Sequence, residues 1–208
     1  MPNPDPKILV RRGTETQRTD GTLGTPQQGE LCYTTDTKAL FVGDGATSGG
    51  TPATKHASAI MLLSTASQNI NASATNNLVT WNQRDPYYGT DITHSTSSNP
   101  ERITINTAGY YEISANLALD ATSSTPTRYN GKMRMQNQAT GVGFGPEGKG
   151  GYLREASGQD ETSLHIATFI WEMPAGRVIQ LVVDRESSTT EAVDTTARAS
   201  SLYIRRVS

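Results

Sequence analysis

Apolar positions in this chain recur mostly with a period of two, in short runs separated by turn residues. The clearest case lies at residues 110–119, where Tyr111, Ile113, Ala115, Leu117 and Leu119 share one parity and Tyr110, Glu112, Ser114 and Asn116 the other. That alternation predicts a strand with one face buried. Residues 101–105 alternate through Ile103 and Ile105, with Ala108-Gly109 as the turn between the two segments. Residues 132–138 set Met133 and Met135 against Lys132, Arg134 and Gln136, while residues 177–184 carry Ile179, Leu181 and Val183 in phase. Shorter apolar runs at 59–63 and 78–82, the latter with Trp81, and a closing segment at 201–207 add further strands. Residues 164–173 are apolar on both faces, as suits a strand between the core and a second subunit or sheet. No helical period is sustained beyond residue 56. Many short strands at this spacing predict an all-β antiparallel sandwich or jelly roll.

The amino-terminal quarter reads differently. Residues 30–34 and 39–42 form a predicted hairpin around a polar turn at 35–38, with glycines at both ends. Residues 14–28 read as a loop, and the prolines at positions 2, 4 and 6 make an extended arm of the first six residues. Residues 45–55 are rich in Gly, Ser, Thr and Ala, which places a domain change near residue 56 and divides the chain into 1–55 and 56–208.

Composition narrows the function. Charges nearly cancel, 18 Lys and Arg against 20 Asp and Glu, so no net field draws the chain to nucleic acid or an anionic membrane. Hydrophobic residues make up only 34%, a lean core of the kind that gains burial from other subunits. Cys32 is the only cysteine, so no intrachain disulfide forms and folding in a reducing cytosol is expected. The first residues lack the charged and apolar regions of a signal peptide, and no apolar run approaches the roughly 20 residues that span a bilayer.

Ordered motifs sharpen the picture. Ile8-Leu9-Val10-Arg11-Arg12-Gly13-Thr14 is followed by Gly29-Glu30, Asp36-Thr37 and Gly43-Asp44-Gly45 shortly before Thr47. In that order these motifs resemble the amino-terminal attachment module of bacteriophage tail fibres and related virion proteins. The resemblance implies particle-docking or trimer roles for Leu9, Arg11, Arg12, Gly13, Gly29, Glu30, Leu31, Asp36, Leu40, Phe41, Gly43, Asp44 and Gly45. Where that family often has an aromatic after the last Thr, Thr47 leads into Ser48-Gly49-Gly50, so a linker is expected to replace the module's final contact. Further on, the run from Ile103 through Gly109-Tyr110-Tyr111 to Leu117 resembles the signature strand pair of C1q and tumour-necrosis-factor jelly rolls. Ala199-Ser200-Ser201-Leu202-Tyr203-Ile204 is similar to that family's last strand, and Pro174-Ala175-Gly176-Arg177-Val178 to the turn before its penultimate one. This second resemblance implies a homotrimer.

Catalytic and cofactor chemistry finds little footing. Residues 143–148 satisfy G-x-G-x-x-G, but Pro146, Gly150 and Gly151 oppose the helix that phosphate binding requires, so an exposed flexible loop is expected there. His56, His94 and His165 lack metal-ligand spacing, and Asp44 reads as a turn former rather than a calcium ligand. Acidic pairs can be drawn from Asp160, Glu161, Asp184 and Glu186, yet any acidic protein offers such pairs. No catalytic centre, cofactor or metal is expected. Among loop aromatics, Tyr87, Tyr88, Tyr129 and Tyr152, with Arg84, are the candidates for contact with a receptor or glycan at the distal end, against the alternative that each packs on its own loop. The expectation is a homotrimeric virion protein, assembled in the host bacterial cytoplasm. It would dock on other virion proteins through its first module and project a jelly roll toward host surface or glycan. The rival roles are a capsid decoration or head-fibre protein and a host polysaccharide depolymerase.

Overall fold

The amino-terminal strands form because alternate side chains have two different surfaces to meet. In the computed structural model, which describes residues 10–53, 58–73, 75–121, 128–154, 161–188 and 192–207, the chain divides into two compact units, Met1–His56 and Ala57–Ser208. Unit 1 contains β1 (Val10–Gly13), α1 (Glu15–Thr19), β2 (Leu31–Thr34), β3 (Leu40–Val42) and β4 (Thr51–Pro52), with the strands in the sheet order β1-β2-β3-β4. The predicted hairpin is β2 and β3, antiparallel, while β1 runs parallel to β2. Lys38 takes φ 57° in the hairpin turn, and Thr34 accepts from the Ala39 amide to close it.

The segment expected to be a loop after Thr14 holds α1 instead. Thr14 and Gln17 form a reciprocal capping box, and the Asp36 carboxylate accepts from the Glu15 amide at 2.9 Å. Five residues become helical because side chains supply partners for the first turn's free amides.

Unit 2 builds two sheets from β5 (Ala59–Leu63), β6 (Asn77–Leu78), β7 (Gln83–Tyr88), β8 (Ile92–His94), β9 (Ile103–Ile105), β10 (Gly109–Ala121), β11 (Arg128–Asn137), β12 (Gly143–Arg154), β13 (Glu161–Met173), β14 (Val178–Ser188), β15 (Val193–Thr195) and β16 (Ser201–Arg206). One sheet has the order β13-β10-β16-β5-β7, with β15 on β10; the other has β12-β11-β14-β9-β8, with β6 on β14. From β9 onward the chain crosses between sheets at five of seven connections, and all described pairings in this unit are antiparallel. That strand order is a jelly roll. Ile60, Tyr111, Ile113, Leu117 and Ile204 from the first sheet meet Ile103, Met133, Met135, Ile179 and Leu181 from the second in one buried cluster. Trp81, fully buried, fills it from the segment after β6, although strand pairing there covers only Asn77–Leu78 rather than 78–82.

Two expectations for this unit are corrected. Residues 143–149 are not a loop: they begin β12, an edge strand of 12 residues. Their glycines answer to close packing. A Cβ on Gly145 would stand 2.3 Å from the Phe169 ring, and one on Gly148 would stand 2.2 Å from the His165 carbonyl oxygen. The missing side chains let β12 press against β13 where the two sheets meet. Likewise Tyr87 and Tyr88, expected on a loop, lie in β7, because the edge strands of a sandwich need only one apolar face. No helix among the described residues is long and apolar enough to cross a membrane.

Candidate functional site

In unit 1, strand alternation sorts the expected docking residues into two groups. One face of the sheet carries Gly13, Cys32, Thr34 and Phe41, all buried. Phe41 lies under the Arg18 guanidinium at 4.1 Å from its ring centroid, and Arg18 is held in turn by Glu15 at 2.5 Å. Arg11 points the same way. Its Nε donates to Glu30 at 2.6 Å and its Nη1 to the Leu23 carbonyl at 2.6 Å, and this pairing holds the Glu30 carboxyl below its usual range.

Several other motif residues also work within the unit. Gly43 lets the chain pass within 2.0 Å, measured from a notional Cβ, of the Gln27 carbonyl oxygen. Gly29 donates to Gly43 at 2.8 Å, and both Gly29 and Gly45 take positive φ. Asp44 closes the turn expected of it. It accepts from the Thr47 hydroxyl and from the amides of Thr47 and Ala46, which hold its pKa at about 2. Leu9 lies outside the described residues.

The opposite face is the more exposed one. Cross-strand register aligns Val10 with Leu31 and Val42, and Arg12 with Tyr33 and Leu40. Val10, Leu31, Tyr33 and Val42 are half-buried, Leu40 is 42% exposed, and Arg12 stands exposed at the rim. Sequence reasoning named Leu31, Leu40 and Arg12 but missed Val10, Tyr33 and Val42. The signal was present, because each lies two residues from a named one.

The loop aromatics of unit 2 do not gather into one patch. Arg84 stacks 4.7 Å from the Tyr87 ring centroid and donates to the His94 carbonyl at 2.8 Å, while the Tyr87 hydroxyl donates to the Ile92 carbonyl at 3.1 Å. These two side chains fasten edge strand β7 to edge strand β8. Tyr88, paired with Ala59, faces outward from the other side of β7. The register slips by one residue between Arg84 and Tyr87, which is why both fall on one side of β7 although they stand three positions apart.

Tyr129 is a correction outright. It is fully buried in the core, and a Cβ on Gly131 would lie 2.2 Å from its hydroxyl, so that glycine makes room for the ring. Burial also raises its pKa. The strand phase of Met133 and Met135, extended back by two and four residues, points to Gly131 and Tyr129 on the core face. Tyr152 remains exposed on β12, at the end of the sandwich away from Tyr88.

The outward face of the β13-β10-β16-β5-β7 sheet was not singled out beyond its long strand. Register brings Met61, Tyr203 and Ser114 into one row, and Leu63, Ser201, Asn116 and His165 into another. Tyr88 and Tyr110 are each 48% exposed here, and Ile170 is 59% exposed. A bulge between Ile113 and Ala115 opens a shallow cleft of about 320 Å³ lined by Ser114, Asn116, His165 and Ser201, in which the buried Asn116 Oδ1 has no partner. A second cleft, of about 310 Å³, lies between the β11–β12 and β13–β14 turns. Among the described residues no cluster of His, Cys, Asp and Glu is arranged to hold a metal.

These observations place two apolar faces, one in each unit, on a chain whose first motifs suggested attachment. Residues 8–47 match the family model of the major tropism determinant N-terminal domain. That domain falls on the segment whose motifs suggested a phage attachment module, and the partly exposed face of strands β1, β2 and β3 belongs to it. Unit 2 is similar to the crystal structures of murine APRIL at pH 5.0 (TM-score 0.48, 10% identity) and at pH 8.0 (TM-score 0.45, 12% identity), each covering 73% of this chain and 100% of that one. It is also similar to GITRL from bushbaby, with TM-score 0.41, 10% identity, and coverage of 73% of this chain and 95% of that one. The strand order carries the jelly-roll assignment without help from these likenesses. No curated protein matches the chain.

Proposed function

We propose that this chain is a homotrimeric bacteriophage virion protein, a fibre or knob that docks on the particle through unit 1 and presents its jelly roll to the host surface. The observation that carries the reading is the tropism-determinant domain at residues 8–47, joined in one chain to a β-sandwich. The mechanism is binding, not turnover. In unit 1 the face of Val10, Leu31, Tyr33, Leu40 and Val42 supplies apolar area to sister chains or to the particle, with Arg12 at its rim to meet a carboxylate. In unit 2 the Met61, Tyr203 and Ile170 face supplies the contact between copies, and so completes the burial that a 34% hydrophobic chain leaves short.

Virions assembled with a chain lacking residues 1–55 should carry none of the protein, as read by mass spectrometry of purified particles. Retention at wild-type copy number would overturn the docking role. A second reading keeps the fold and makes the protein a capsid decoration. It is supported by the absence, among the described residues, of any helix longer than five residues that could form a coiled-coil shaft. Labelled antibody against unit 2 would mark the tail under the first reading and the shell under the second.

A further inference from the structure

The cleft between the β11–β12 and β13–β14 turns is lined by Asn137, Gln138, Pro174, Gly176 and Arg177. Its volume, about 310 Å³, reaches the lower end of the range for small-ligand sites. Both rims are fixed by backbone bonds. Gly141 donates to the Asn137 carbonyl at 2.8 Å, Gly176 to the Ile105 carbonyl at 2.7 Å, and Gln138 to the Val178 carbonyl at 2.9 Å. Gly176, at φ +79°, has open space where a Cβ would stand, so a ligand can approach its backbone.

Arg177 is the one charged residue that lines the cleft. Arg177 is half-buried beside the cleft, and no carboxylate among the described residues pairs with it. No acidic residue lines the cleft at all. Asn137 uses its Oδ1 on the Ala139 amide, which leaves its NH2 free to donate, and the Gln138 amide adds a further donor. A guanidinium with neighbouring amide donors and no competing acid suits a planar or tetrahedral oxyanion.

We infer that this cleft binds an oxyanion carried on a saccharide, a sugar carboxylate or sugar phosphate, with Arg177 as its charged anchor and Asn137 and Gln138 as hydroxyl or oxyanion donors. That the carrier is a sugar rests on the host-attachment reading above, whereas the oxyanion follows from the cleft alone. Titration calorimetry of the full chain with methyl glucuronide, glucose 1-phosphate and neutral methyl glucoside tests it, with Arg177→Gln as the variant. Binding of either acidic sugar, weakened at least tenfold by Arg177→Gln, is the expected result, and the glucoside should bind at least tenfold more weakly. Equal affinity for the glucoside, an unaffected Arg177→Gln variant, or no binding of either acidic sugar would overturn the inference. Inorganic phosphate bound as tightly as glucose 1-phosphate would overturn the saccharide while leaving the Arg177 dependence to be read on phosphate itself. Circular dichroism of Arg177→Gln separates lost binding from lost fold, and failure of the virion-docking experiment would leave the cleft result standing.

Discussion

The two sheets of unit 2 close over one core, yet their outward faces have opposite character. On the β12-β11-β14-β9-β8 sheet, Lys132 and Lys149 stand 3.8 and 3.5 Å from Glu147, Lys149 stands 3.6 Å from Glu186, and Arg134 pairs with Asp184. On the β13-β10-β16-β5-β7 sheet, Met61, Leu63, Tyr88, Tyr110, Tyr203 and Ile170 replace most of that charge, with the Glu112–Arg205 pair at 2.5 Å set among them. Charged groups stay at ease in water and resist burial, whereas apolar area gains by being covered. The first face suits solvent, and on the reading proposed above the second meets another copy of the chain. Unit 1 repeats the lesson on a smaller scale, with a sheet whose inner face its own helix and loops cover and whose outer face carries Leu40 and Tyr33 to the surface.

The comparison breaks first if charge placed on the more apolar face does nothing. Met61→Glu should reduce the solution mass from three chains to one, by light scattering, while the melting profile of the monomer remains cooperative. Thr93→Glu, at an exposed position on the other sheet, should leave the mass unchanged. Next in size, Asp184→Asn strands the Arg134 guanidinium and should cost about 3 kcal/mol in denaturant unfolding, because both partners are nearly buried. A smaller effect concerns His94. Its ring nitrogen Nε2 donates to the Pro100 carbonyl at 2.9 Å, its Nδ1 has no partner, and burial lowers its pKa. The unfolded chain therefore binds the proton more readily. Stability should be full above about pH 6.5 and fall as pH drops through that value, by at most about 1.4 kcal/mol per pH unit. His94→Gln should remove that part of the slope. Smallest of all, Lys149→Ala loses only exposed ion pairs and should change stability by less than about 1 kcal/mol.

What the sequence disclosed depended on whether a residue's role was local. Strands β10 and β14 were legible because Tyr111–Leu119 and Ile179–Val183 alternate without interruption, and the hairpin of β2 and β3 because glycines bracket it. β12 was not, because the partners that require its glycines, the Phe169 ring and the His165 carbonyl, lie on another strand. The same limit hid the difference between Arg11 and Arg12. They are adjacent in sequence, but alternation turns one inward to Glu30 and the other outward. For Arg84 and Tyr87, one extra residue in β7 puts on one side of the strand two residues that strict alternation would separate. Tyr129, by contrast, could have been assigned to the core from the phase of Met133 alone.

One measurement bears most directly on the claim that the more apolar sheet face joins identical copies: the mass of the unaltered chain in dilute solution at neutral pH. Three times the 22.3 kDa chain mass is the expected value. A stable species of 22.3 kDa, cooperative in unfolding and unaffected by Met61→Glu, would contradict it.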